Sequence, residues 1–291
     1  MLLLLICILF NAYISVVFKI FEKYKVRTLQ AIVLNYFVCV LTASVVMGRP
    51  AVTLEVLNKD WLWAAVGIGL TFITTFILFA NTVQKFGVVL GSIFQKMSLI
   101  APALLAILLY GESAGWIKIC GIALAILSIF VISGKTSSKT EATNSDNKLL
   151  WLFPIGTFIG SCMVDSGLFF VNQTGLASSL DIDFIATLFF FAGLCGILFI
   201  SYDYLVKGTT YRRKELIAGF ALGVPNFFSI YLLLMVLSNG MDGSVVFPIN
   251  NVGILLATAI LGLIFFGEKF NTRKLIGFSM AILSILLVAN G

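Results

Sequence analysis

Residues 87–110 read GVVLGSIFQKMSLIAPALLAILLY, an apolar run that carries Gln95 and Lys96. Gly111-Glu112 follows, and then a second apolar run, Trp116 to Ser133. The same design returns 156 positions later, where Gly111-Glu112 falls on Gly267-Glu268. In that register Lys118 falls on Lys274, Gly121 on Gly277 and Gln95 on Asn251. Ala125-Ile126-Leu127-Ser128-Ile129 is matched residue for residue by Ala281-Ile282-Leu283-Ser284-Ile285. One apolar helix matches another by chance. A match that also keeps Gly-Glu, the Lys and the Gly in register points to duplication of a membrane unit, the usual mark of a transporter.

Composition agrees. Of 291 residues, 60% are hydrophobic and 11% charged, too few polar groups to clothe a water-soluble globule of this size. Apolar runs of about 18–25 residues without strict alternation suit helices crossing a core about 30 Å thick, not the ten-residue alternating strands of a barrel. The chain has no His, which removes the commonest general base and metal ligand. Cys7, Cys39, Cys120, Cys162 and Cys195 all lie in apolar runs without CxxC spacing and read as small buried hydrophobes. No metal, cofactor or nucleic-acid partner is called for. The net charge of +6 reports loops facing anionic lipid.

Ten spans follow: Leu2–Phe21, Thr28–Met47, Asp60–Ala80, Gly87–Tyr110, Trp116–Ser133, Leu149–Asn172, Asp183–Val206, Glu215–Leu237, Gly243–Phe266 and Thr272–Ala289. The first lacks a basic stretch before its apolar run and a clear cleavage site, and reads as a retained helix. Residues 135–148, KTSSKTEATNSDNK, hold no large apolar residue and read as a solvated linker. The expected organisation is a five-helix repeat at 1–134, the linker at 135–148 on the cytoplasmic side, and a second five-helix repeat at 149–291. If the chain starts outside, fifteen Lys and Arg fall in inner loops and three, Arg49, Lys59 and Lys118, in outer loops. The bias predicts both termini outside. An odd number of helices per half then makes the two repeats inverted, in an all-α polytopic membrane protein.

Gly111, Glu112 and Gly121 in one half, and Gly267, Glu268 and Gly277 in the other, set in ten helices, resemble the EamA branch of the drug/metabolite transporter superfamily. The resemblance covers essentially the whole chain. It implies alternating-access transport of a small metabolite, amino acid or drug across the inner or plasma membrane, often export, by a non-enzyme that acts as monomer or homodimer in the bilayer. It implies no ATP use, and the chain has no Walker-type phosphate loop. Relatives are often described with both termini in the cytoplasm, against the loop count. The alternatives from other classes are a membrane-embedded enzyme on lipid or isoprenoid substrates, for which Asp181-Ile182-Asp183 is the one close acidic pair, and a channel.

Several residues are candidates for chemistry. Glu112 and Glu268 read either as coupling carboxylates or as structural acids at the start of the next helix, where the dipole favours negative charge. Pro102, Pro225 and Pro248 each remove a backbone hydrogen bond inside a span. They either kink the helix or, with Asn226, Asn250 and Asn251 beside them, line a polar cavity. Asn35, Tyr36, Asn11 and Tyr13 face that cavity or bond helix to helix. Gly67, Gly69, Gly156 and Gly160 read as close helix packing. Spans five and ten, polar in their interiors only at Ser128, Ser279 and Ser284, are expected at the periphery. The deep charges are Lys96 and Asp165. Three readings stay open: a structural pair, Lys96 as receiver of a substrate carboxylate together with Gln95, or Asp165 as the group that exchanges a coupling proton.

Overall fold

The computed structural model describes residues 1–110, 115–133, 149–177, 181–208, 211–239, 243–268 and 271–290. Gly111, Glu112 and the 135–148 linker lie outside them. The described residues form α1 (Leu2–Lys23), α2 (Thr28–Met47), α3 (Leu62–Phe86), α4 (Val88–Lys96), α5 (Ile100–Tyr110), α6 (Trp116–Ser133), α7 (Leu152–Gln173), α8 (Ile182–Lys207), α9 (Arg213–Ser238), α10 (Gly243–Phe266) and α11 (Thr272–Asn290). Eight helical segments, with α4 and α5 counted as one, are long and apolar enough to cross a membrane. The helices α6 and α11 pack against each other.

Two expected boundaries are corrected. The third span runs to Phe86, not Ala80. Its last turns look polar in sequence, but Asn81 and Thr82 donate back to the carbonyls of Ile77 and Leu78. Thr82 also meets Thr157 of α7 at 2.9 Å, and Gln84 donates to Thr28 Oγ1 at 2.9 Å. With partners inside the protein, these groups ride in a buried helix without cost. The fourth span is not one helix. It breaks into α4, a 3-10 segment at Met97–Leu99, and α5. Pro102 stands in the first turn of α5, where its missing N–H is tolerated, and its ring crowds the carbonyl four residues back, that of Ser98. Pro102 thus removes the i→i−4 bond to Ser98 at the place where the 3-10 segment stands. Pro225, by contrast, sits inside an unbroken α9.

The two halves interleave rather than standing side by side. From the first half, α1 and α2 pack on α9. From the second, α7 and α8 pack on α3. Likewise α1 meets α10, while α7 meets α4 and α5; α2 meets α8, α4 meets α10, and α6 meets α11. Exchanging the halves maps these pairings onto one another. The largest cluster of buried apolar residues gathers Phe18, Tyr36, Phe76, Phe79 and Phe189, with Phe18 and Phe76 ring centroids 5.0 Å apart and Tyr36 stacked on Phe189 at 5.9 Å. A second cluster joins α4 to α6, α10 and α11 through Ile93, Phe94, Met97, Ala125, Leu255 and Ala281. Ser128 is buried and lies 3.6 Å from Met97 Sδ, so the α6–α11 pair touches the break in the fourth span.

Glycines let backbones approach. A Cβ on Gly69 would lie 2.7 Å from the Leu188 carbonyl, and one on Gly121 would lie 2.8 Å from Val288 N. Gly156 and Gly160 are packed the same way, against Leu78 and Thr75. Gly67 is a correction. It has open space around it and lines a groove between α3 and α7. The expected outcome is that Gly121→Ala lowers stability by about 1–3 kcal/mol through overpacking. Gly67→Ala should be neutral or stabilising by up to ~1 kcal/mol, since Ala is the better helix former. Thermal unfolding of the purified protein in micelles reads both; equal effects would refute the packing argument.

Candidate functional site

The site is built around the broken fourth span. Lys96 is the last residue of α4, and Gln95 precedes it. Both are partly buried. Lys96 Nζ donates no hydrogen bond and has no carboxylate within 4.0 Å among the described residues. The titratable groups that face it are Asp165 of α7 and the thiol of Cys7 on α1. Lys96 and Asp165 are thus neighbours but not an ion pair. Asp165 is engaged instead by Ser98, in the 3-10 segment, whose hydroxyl also reaches the Gln95 carbonyl at 2.6 Å. Ser98 is buried. Sequence reading missed it because a Ser in an apolar helix normally bonds its own backbone. The signal was its place four residues before Pro102, where a carbonyl is freed and the chain turns off the α-helical path.

The remaining candidates divide into those with partners and those without. Asn226 Nδ2 of α9 donates to Asn35 Oδ1 of α2 at 3.1 Å and lies 3.6 Å from Cys39 Sγ. Cys39 Sγ in turn reaches the Gly223 carbonyl at 3.3 Å. Both amides are buried, and the cluster ties α2 to α9. Tyr36 sits in the aromatic cluster, fully buried, with its hydroxyl 3.4 Å from the Phe72 carbonyl. Asn250 of α10 is buried and accepts from Cys7 Sγ at 3.4 Å; Cys7 also reaches the Ser229 carbonyl at 3.0 Å. Asn11 donates to the Cys7 carbonyl at 3.1 Å, whereas Tyr13 is exposed. Asn35, Tyr36, Asn226 and Asn250 therefore hold helices to one another. Gln95 and Asn251, the repeat-related amides, make no side-chain hydrogen bond among the described residues, and they stand on α4 and α10, which pack together. Lys96, Gln95 and Asn251, partly buried on the packed helices α4 and α10, are the candidates there whose side chains make no hydrogen bond among the described residues.

The Gly-Glu motif also finds its place. Gly267, with φ +60, ends α10 in the left-handed region that glycine accepts most readily. Glu268 then turns back across the bundle. Its Oε1 accepts from Val88 N at 2.6 Å and its Oε2 from Val89 N at 3.3 Å. Glu268 thus accepts at a helix N-terminus, but the helix is α4 of the other half, not the α11 that follows it. Gly277 is buried, and Gly121 meets α11. At the two ends of the bundle, Glu215 is fully buried and accepts from Arg27 N at 3.3 Å and Arg212 N at 2.9 Å. At the other end Arg49 meets Asp183 at 2.7 Å, a contact that raises the guanidinium above its ordinary value.

Residues 1–134 match the EamA-like transporter family. An uncharacterized protein of Haemophilus influenzae is 27% identical over 288 residues, covering 97% of this chain and 95% of that protein. A solved crystal structure superposes with a TM-score of 0.60 at 12% identity, covering 98% of this chain and 94% of the other, and so shares its fold. The chain thus resembles EamA-type transporters, and with eight apolar spans it is a multi-pass membrane protein.

The division of the amides is testable in the folded protein. Asn226→Ala should lower stability by about 1 kcal/mol, since interhelical hydrogen bonds in membranes average ~0.6 and reach about 1.7 kcal/mol. Gln95→Ala and Asn251→Ala should stay within about 0.5 kcal/mol of the parent, as substitutions that break no contact do. Unfolding in micelles gives the three values, and a loss at Asn251 equal to that at Asn226 would contradict the assignment.

Proposed function

We propose that this EamA-type chain is a secondary active transporter that moves a small molecule with an anionic group across the cell membrane by alternating access. The observation that carries the reading is Lys96, an ammonium at the broken end of α4 with no hydrogen-bond or ion-pair partner among the described residues. A lone charge in a span costs at least ~2.5–3.5 kcal/mol on insertion scales, and such residues mark substrate paths. A substrate carboxylate or phosphate supplies the missing partner. Gln95 and Asn251 add donors and acceptors beside it. The helix break offers backbone groups at the same level, as discontinuous helices do in other transporters.

Asp165 is the coupling group in this reading. Ser98 Oγ has one proton and two acceptors within reach, the Gln95 carbonyl and the Asp165 carboxyl. With Asp165 protonated, its carboxyl donates to Ser98 and Ser98 donates to Gln95, so every group is satisfied. With Asp165 ionised, one acceptor goes short or turns to Lys96. Proton exchange at Asp165 thus shifts the balance between Ser98 and Lys96.

The repeats are inverted in this proposal. Its support is the grouping of loops at the two ends. The chain between α1 and α2 meets the start of α9 through Arg27 and Glu215, while Arg49, past α2, meets Asp183 at the start of α8. The segments α1 and α7 then run in opposite directions. The basic bias places the Arg27 end, the 135–148 linker and Glu268 inside and both termini outside.

Three experiments test the whole. Screening small metabolite anions for thermal stabilisation should find a ligand that raises the parent's stability, by about 2.7 kcal/mol at a hundredfold excess over Kd, and that fails to do so for folded Lys96→Met. In liposomes that ligand's flux should be lost in Lys96→Met and Asp165→Asn and not restored in the double variant; a double variant that transports like the parent makes the pair structural. For orientation, an impermeant thiol reagent applied outside cells should label a cysteine at Gly291 and not one at Ser138, and the reverse pattern inverts the topology.

A further inference from the structure

The grip of Glu268 on α4 bears directly on Lys96. Val88 and Val89 are the first residues of α4, and Lys96 is its last. Over eight steps of 1.5 Å the helix is a rod about 12 Å long. One end is held by Glu268 from the second half, at 2.6 and 3.3 Å. The other end leads into the 3-10 segment at Met97–Leu99, where the helix is interrupted before α5. The grip leaves no slack. Gly87 has φ +100, and a Cβ there would lie 2.6 Å from Glu268 Oε1. A Cβ on Gly262 would come within 3.2 Å of Glu268 Oε2 and of Val89 Cγ2. Two donated N–H groups, a carboxylate at the positive end of a helix, and glycines cleared around it make a specific seat rather than a surface cap.

We propose that Glu268 is a positioning residue for the Lys96 site: by holding the amino end of α4 from the opposite half, it sets where the ammonium stands and keeps that end of the bundle closed. This rests on the reading of Lys96 as the receiver of the anionic group. When the seat is occupied, α4 is pinned to the α10 end and the site is shut off between α4 and α10. When the carboxylate leaves, the nine-residue rod pivots at Met97–Leu99 and opens a path to Lys96 from the Gly87 side.

The test reads the path and not the substrate. Ser92 is buried on α4, one turn before Lys96, with its hydroxyl 3.4 Å from that of Ser15. In the full chain in liposomes, the modification of Ser92→Cys by a small impermeant methanethiosulfonate is followed above the background of the parent. Adding Glu268→Gln should raise that rate by about tenfold or more, the scale set by removing one charge-assisted hydrogen bond. Glu268→Asp, which keeps the charge on a shorter arm, should give an intermediate rate. Asp183→Asn, which breaks a different interhelical tie, should leave the rate unchanged. An unchanged rate in Glu268→Gln, or an equal rise with Asp183→Asn, overturns the proposal. Should Glu268→Gln not fold, Glu268→Asp against Asp183→Asn decides it, since an Asp rate no higher than the control's is equally fatal. Labelling needs no substrate, so its failure is distinct from a failure of Lys96→Met to lose ligand stabilisation.

Discussion

A lysine head inside an apolar bundle, facing Asp165 but with no carboxylate within 4.0 Å among the described residues, is the constraint around which the centre of this protein is arranged. In lipid, every polar group that leaves the helical ladder must find its partner within the protein or on a ligand. Pro102 frees the backbone near Ser98, Ser98 turns to Asp165 and Gln95, and Lys96 is left at the broken end of α4. Among the described residues the buried polar side chains are otherwise mostly partnered, Gln30 Oε1 and Asp183 Oδ1 being without a hydrogen bond. Asn35 answers Asn226, Thr82 answers Thr157, and Cys7 finds the Ser229 carbonyl. The contrast between these closed pairs and the open head of Lys96 is what supports the proposal that Lys96 belongs to the site.

The same rule decides how much could be read from sequence. Spans of about twenty apolar residues are legible because lipid sets their length. The Gly-Glu repeat was legible because two copies sit in register. The C-terminal turns of α3 were not, since Asn81, Thr82 and Gln84 look like a loop until their partners on Ile77, Thr157 and Thr28 are known. Nor was the break at Met97–Leu99, where a proline inside a run signals a kink but not the 3-10 segment that answers it. For Asn35 and Tyr36 the cavity and the helix-to-helix bond both stayed open, because polar types in a helix carry no label for direction. Only the packing of α2 on α9 shows Asn35 turned toward Asn226. Ser98 was passed over, though its spacing from Pro102 held the clue.

Interleaving explains why neither half reads as a separate body. Helices α1 and α2 cover α9, and α7 and α8 cover α3, so each half supplies the surface the other must bury. The helices α6 and α11 pack chiefly on each other, joined where Gly121 meets Val288. Even this pair reaches the centre, through Ser128 and Met97.

The seat of Glu268 on α4 also orders events in time. Val88 and Glu268 are 180 residues apart in the chain. At roughly 5–20 residues per second of synthesis, the amino end of α4 waits on the order of ten to forty seconds for its carboxylate. Through that interval the amide donors of Val88 and Val89 are without their final acceptor, and a residue made near the end of synthesis caps a helix threaded long before.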